Sequence, residues 1–451
     1  MNKLLQKIKI IGKSKTIQNI SKMMTGTLFG QILSIVLVPI TTRLYGAEAY
    51  GDLAVLTSAS SVFVSFLGFG LASAIMVEKT DEEAEQTYKM AVNLTNVLVV
   101  LIIMLLMGVS PWFQLLKSSL PYNVMLIMVG FYVVTTNQVN MLYAWLNRKG
   151  RYNVLLFNPM ISPMVNNGLA IILGVIGFKG VGLYIGLLFS QFVTLIHMFK
   201  NMDPIRYRFR FCDIPEIVKR NKDFILYQYP ASLMNTVVSN LPVQILSFCF
   251  GNTMVGYYSM AMKLLNIPSN IISSSMSRVY FKEVSDKQRE GKNSRLYTLK
   301  MCKIITAIYL FPMAIIILLG DILIPFFLGG DWSNSVTYIK IMAVWNLFAI
   351  AINCTAGFPS VIKRQKSNMI ISAVKLVVFP VAMLLVSNIF AKPQLTVWVY
   401  AISYSIINTA YYECLIGEDK TLRFKYVGIN ILCLFVCILF FLISFGINKM
   451  L

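Results

Sequence analysis

Residues 45–51 read Tyr45-Gly46-Ala47-Glu48-Ala49-Tyr50-Gly51, and residues 250–256 read Phe250-Gly251-Asn252-Thr253-Met254-Val255-Gly256. Each is an aromatic residue, a glycine, four residues and a second glycine. The two lie 205 positions apart in a chain of 451. Pro39 precedes the first and Pro242 the second. Each also sits between two long apolar runs, so the motif marks one kind of turn used twice.

Working outward from these turns, runs long enough to cross a bilayer, about 20 residues each, fall at 23–42, 52–77, 89–109, 122–146, 154–177, 180–199, 229–250, 255–276, 301–327, 335–361, 369–390, 394–416 and 426–447. Hydrophobic residues make up 57% of the chain and charged residues 13%. A water-facing exterior cannot carry so much apolar surface, whereas lipid can. The net charge of +21 would suggest nucleic acid in a soluble protein, but here the basic residues sit in short clusters between spans, and no nucleic-acid partner is expected.

Alternate loops sort those clusters by side. One set carries 31 of the 40 Lys+Arg and the other set five, namely Arg43, Lys117, Lys179, Lys392 and Lys449. This positive-inside asymmetry predicts a cytoplasmic N-terminus, thirteen spans and an external C-terminus. The segment before Met23 carries six lysines and no cleavage site of the secretory type, so no signal peptide is expected. The expected organisation is a basic N-terminal segment (1–22), an N-lobe of six helices (23–199), a basic linker (200–228), a C-lobe of six helices (229–416), and an extra helix with its tail (417–451). The fold class is therefore an all-α integral membrane protein, its two six-helix lobes related as parallel repeats, with one extra C-terminal transmembrane helix. Such lobes imply a cleft and alternating access.

No chemistry announces itself. The chain lacks Gly-x4-Gly-Lys-Ser/Thr for nucleotide phosphates and His-Glu-x-x-His for zinc. Its single histidine, His197, cannot build a metal cluster. Its seven cysteines form no Cys-x-x-Cys pair and read as packing residues. No cofactor, no metal and no enzymatic activity are expected. Charge at membrane depth costs roughly 2.5–3.5 kcal/mol on insertion scales unless it faces water or a partner. Lys263, Lys303, Lys340 and Lys375 all lie inside spans. Each either snorkels to an interface or lines a cationic cavity suited to phosphate. Arg43 ends the first span as an anchor or a ligand. In the fourth span Asn137 and Asn140 share a face with Ala144, as sugar-binding amides or as interhelical hydrogen-bond partners. Gly26-x3-Gly30 and Gly182-x3-Gly186 read as helix-packing signals.

The stretch Asn19…Gly26…Gln31…Pro39-Ile40-Thr41-Thr42-Arg43-Leu44-Tyr45-Gly46-Ala47-Glu48-Ala49-Tyr50-Gly51 resembles the start of bacterial polysaccharide flippases of the multidrug/oligosaccharidyl-lipid/polysaccharide exporter superfamily. Val255-Gly256-Tyr257-Tyr258-Ser259-Met260-Ala261-Met262-Lys263 is similar to the opening of their second lobe. The resemblance implies a bacterial cytoplasmic-membrane protein that exports undecaprenyl-pyrophosphate-linked oligosaccharide for O-antigen, capsule or exopolysaccharide. Membrane lipids and other glycan-assembly proteins are the further partners. It assigns the pyrophosphate to cationic residues, and only Lys263 and Arg43 lie in matching motifs. The candidate substrate-binding set is Lys263, Arg43, Lys375, Asn137 and Asn140. Other readings are a drug or cation exporter, which calls for carboxylates deep in the first lobe, a membrane glycan polymerase or ligase, and a non-transporting scaffold.

Overall fold

The computed structural model describes residues 15–109, 121–178, 180–204, 213–222, 225–226, 229–417 and 420–450. The lysines before position 15, and Lys117, Lys179, Arg206, Arg208 and Arg210, lie outside that set. Sixteen α-helices follow in order: α1 (Lys15–Leu44), α2 (Ala47–Gly68), α3 (Leu71–Val77), α4 (Asp81–Val109), α5 (Tyr122–Arg148), α6 (Tyr152–Ile176), α7 (Gly182–Lys200), α8 (Ile214–Arg220), α9 (Tyr229–Phe250), α10 (Asn252–Arg289), α11 (Ser294–Leu328), α12 (Ser335–Cys354), α13 (Phe358–Val361), α14 (Gln365–Phe390), α15 (Pro393–Ile416) and α16 (Lys420–Met450). A 3-10 turn spans Gly330–Trp332. No strand occurs among the described residues. Helix is what lipid demands, because it satisfies every backbone group within one segment.

The chain is a multi-pass membrane protein. Among the described residues eleven helical stretches are both long and apolar enough to cross a membrane. Of the thirteen expected spans, 255–276 and 394–416 lie on α10 and α15, which have the length but carry more polar residues, Lys263 and Asn408 among them. Two expected spans are broken: 335–361 into α12 and α13 between Cys354 and Phe358, and 52–77 into α2 and α3 at Phe69 and Gly70, which have φ of 48° and 68°. Gly70 adopts this left-handed geometry freely. Phe69 is held there with its ring 5.5 Å from that of Tyr229.

The chain divides into two compact units, Met1–Tyr45 with Val55–Thr236 and Gly46–Ala54 with Val237–Leu451. In the first unit α1 packs on α6 and α6 on α7 through glycines. A Cβ at Gly26 or Gly30 would strike the carbonyl oxygens of Leu156 or Pro159, and one at Gly186 would meet the carbonyl of Asn166. The small-residue signals are therefore close helix approaches. Tyr45 lies against Gly174 and Gly182 and donates its hydroxyl to the carbonyl of Ala170 at 2.7 Å.

In the first unit Trp145, Tyr88, Met198 and Ile217 pack in a common core. The acidic stretch 78–85, which runs from the end of α3 into the first turn of α4, is held by basic neighbours. Arg148 and Lys149 both pair with Asp81, at 3.0 and 2.6 Å. The Glu78 carboxylate is buried and accepts from Thr87 (2.6 Å), Asn221 (2.8 Å) and Arg220 (3.1 Å). Arg220 closes α8, so a helix of the basic linker is fastened to the loop between α3 and α4.

In the second unit α12 is the buried centre, packed against α10, α11 and α15. Asn346 of α12 donates to Ser269 at 2.8 Å and to the carbonyl of Leu265, both on α10. The last helix, α16, packs along α11 and α15 and is tied at both ends. Lys340 of α12 donates to Ser444 at 2.8 Å, and Arg423 pairs with Glu413 of α15 at 2.6 Å. The six cysteines among the described residues are free, and Cys302, Cys354, Cys433 and Cys437 are buried, as packing residues should be.

Candidate substrate site

The second unit brings the two sequence motifs together. A Cβ at Gly51 would collide with the carbonyl oxygen of Asn252, and one at Gly256 with the carbonyl oxygen of Ala47. At an offset of 205, Gly51 corresponds to Gly256 and Ala47 to Asn252. The contact is therefore reciprocal: each motif's second glycine receives the first helical residue of the other. Two equivalent helix starts thus cross at backbone contact, which only glycine permits. Beside the crossing, Asn252 donates to the buried Asp52 carboxylate and accepts from Ser247 at 2.6 Å. Gly251, with φ +83°, makes the turn into α10 that an L side chain would resist.

Eleven residues into α10, about 16 Å along its axis at 1.5 Å per residue, is Lys263. Its ammonium lies 5.5 Å from the centroid of the Tyr50 ring. Tyr50 is buried and meets Trp332 edge-on, with centroids 5.3 Å apart and planes at 83°. Trp332, from the 3-10 turn, meets Tyr257 in the same manner at 6.1 Å and 87°. Among the described residues no carboxylate pairs with Lys263.

The other candidate cations are placed differently. Lys340 is neutralised by Asp321. Lys375 is buried, donates to Asn408 on α15, and lies 5.6 Å from the Tyr404 ring centroid. Lys303 is exposed. Arg43 belongs to the first unit, where it is exposed and donates to the carbonyl of Pro39 at 3.0 Å. In the same unit Asn137 is buried beside Gly68 with its amide nitrogen unpartnered, whereas Asn140 is exposed. Of the five candidates, Lys263 and Lys375 share a unit, as do Arg43, Asn137 and Asn140.

The sequence reading passed over Tyr50, Trp332, Asn408 and Asp52. Tyr50 stands inside the quoted motif, but nothing local says that its ring faces a lysine more than two hundred residues away. The second unit also has an apolar groove of about 950 Å³ between α12, α15 and α16, lined by Val344, Trp398, Ile406, Leu434 and Phe441. Its charges are internally paired, Lys340 with Asp321 and Glu413 with Arg423. It therefore offers no free cation, unlike the site at Lys263.

A family model described as "Polysaccharide biosynthesis protein" matches residues 40–337. The succinoglycan biosynthesis transport protein ExoT of Rhizobium meliloti (strain 1021) is 24% identical over 289 residues, 64% of this chain and 57% of that protein. The match thus spans little more than half the length of that curated relative. Among solved structures, the lipid II flippase MurJ in an inward closed conformation superposes with a TM-score of 0.68 at 15% identity, covering 94% of this chain and 98% of that one. An inward-facing multidrug resistance MATE family transporter of the MOP superfamily gives 0.60 at 15% identity, covering 92% and 99%.

Proposed function

Since the chain belongs to the polysaccharide biosynthesis protein family, we propose that it is a flippase that moves undecaprenyl-pyrophosphate-linked oligosaccharide across the bacterial cytoplasmic membrane by alternating access. The observation that carries this reading is Lys263. A cation partway down a membrane helix is costly, and this one is neutralised by no described carboxylate. An incoming pyrophosphate can supply the missing negative charge, in a charge-assisted contact stronger than an ordinary hydrogen bond.

Arg43 is the second proposed contact: it is exposed, and it closes α1 within the motif that resembles the flippases. Lys375 holds Asn408 with one of its three N–H groups, and would contribute through its charge and its other two. Asn140 is open to sugar hydroxyls, and Asn137 has an amide donor to spare. The basic clusters face the cytoplasm in this reading, with the N-terminus inside and the C-terminus outside. The names of the relatives, a succinoglycan transport protein and a lipid II flippase, agree with an anionic lipid-linked glycan as cargo.

The test is substitution of Lys263 in cells that depend on this protein for a surface glycan. Lys263→Ala should cause lipid-linked units to accumulate on the cytoplasmic side, with Lys263→Arg milder. Normal export by Lys263→Ala at normal protein abundance would sink the assignment. Shortened glycan chains without accumulation would point to a polymerase instead.

A further inference from the structure

A lysine inside a membrane protein needs company, and the second unit shows three ways of supplying it. Lys340 has a carboxylate, Asp321, which cancels its charge. Lys375 has an amide oxygen, from Asn408, which occupies one of its three N–H groups. Lys263 has the face of Tyr50. A ring face attracts a cation through its quadrupole without neutralising it. Of these three, only Lys263 keeps both its charge and its donors uncommitted.

The ring is itself firmly placed. Trp332, almost wholly buried, stands edge-on to Tyr50 and to Tyr257, and Tyr257 is on the same helix as Lys263. Gly51, the next residue after Tyr50, is fixed against Asn252, the first residue of that helix. The ring and the ammonium are thus fixed to the same pair of crossed helix starts.

We propose that Tyr50 is the positioning residue for Lys263, holding the ammonium by its ring face so that the lysine reaches an anionic substrate group with its charge intact. This rests on Lys263 being the pyrophosphate contact. It adds a specificity consequence: the site should favour a lipid pyrophosphate over the matching neutral lipid alcohol, and the ring should be part of that preference.

The experiment uses the full chain in nanodiscs, with farnesyl pyrophosphate as probe and farnesol as the neutral control. Tyr50→Phe should bind the pyrophosphate within about twofold of the natural chain, because the face is retained. Tyr50→Leu should weaken binding about three- to tenfold, the range expected of a partly buried cation–π contact. Affinity for farnesol should not change. The double variant Tyr50→Leu/Lys263→Ala should bind no worse than Lys263→Ala alone, since the ring acts only through the lysine. Phenylalanines carrying successive ring fluorines at position 50 keep the shape while draining the face, so binding should fall stepwise with fluorine number. This series stands even if Tyr50→Leu does not fold. A flat response to fluorination, or additive losses in the double variant, would overturn the role of Tyr50 and leave Lys263 in place. Binding by Lys263→Ala equal to that of the natural chain would overturn the site reading, and this inference with it.

Discussion

Gly51 and Gly256 offer a test in which the structure predicts opposite signs for the same chemical change. Glycine to alanine inside a helix gains about 0.8–1.0 kcal/mol from propensity. At Gly168 in α6 and Gly428 in α16 an added Cβ meets nothing within 4 Å, so that gain should be realised. At Gly51 and Gly256 the Cβ would fall on a backbone carbonyl oxygen, which cannot turn aside as a side chain can. Overpacking of this kind costs about 1–3 kcal/mol, and a backbone obstacle puts it toward the upper end. The expected net loss is about 1–2 kcal/mol for Gly51→Ala and for Gly256→Ala. The assay is the thermal midpoint of purified protein in nanodiscs at a fixed scan rate, since such unfolding is irreversible. At about 2–4 °C per kcal/mol, the two pairs should move apart by several degrees. One separation of the crossed helices relieves both clashes, so the double variant should lose less than the sum of the singles. Four substitutions that all raise the midpoint would refute the close crossing.

Other outcomes follow from the ion pairs. Asp321→Asn strips Lys340 of its counter-charge and should cost about 1–3 kcal/mol, discounted from a fully buried pair because Asp321 is a third exposed. Lys340→Met with Asp321→Leu should recover most of that loss in the same thermal assay. Glu78→Gln removes the charge that holds Arg220 and Asn221. It should cost about 1.5–3 kcal/mol locally and make the 213–222 segment cleavable by added protease before the rest of the protein melts. Unchanged cleavage would mean that α8 is held by something other than this carboxylate.

The helices were legible because the demand of lipid is local: about twenty apolar residues announce a span wherever they occur. The motif pair was legible for the same reason, since glycine at a fixed offset is visible in a single sequence. The break at Phe69 and Gly70 was not: Gly68 and Gly70 flank it, but glycine is also common inside membrane helices, and nothing local marks an aromatic residue for a φ of +48°. The site was legible only in its charges. That Lys263, Lys340 and Lys375 lie in spans follows from the sequence. Which of them is spent depends on Asp321, Asn408 and Tyr50, and no local pattern connects these to their lysines. Tyr50 was quoted as half of a turn motif, and its second role became visible only when its ring was found beneath an ammonium.

The chain is made from its N-terminus, and the second unit takes nine residues, Gly46–Ala54, from near the beginning. Asp52 receives its hydrogen bond from Asn252, 200 residues later. At about 5–20 residues per second, that donor emerges some 10–40 seconds after the carboxylate it serves. Throughout that interval Gly51, Tyr50 and Asp52 have been synthesised without the helix against which they pack. A second unit expressed alone from residue 237 should therefore be incomplete, and should mature only when the earlier segment is supplied with it.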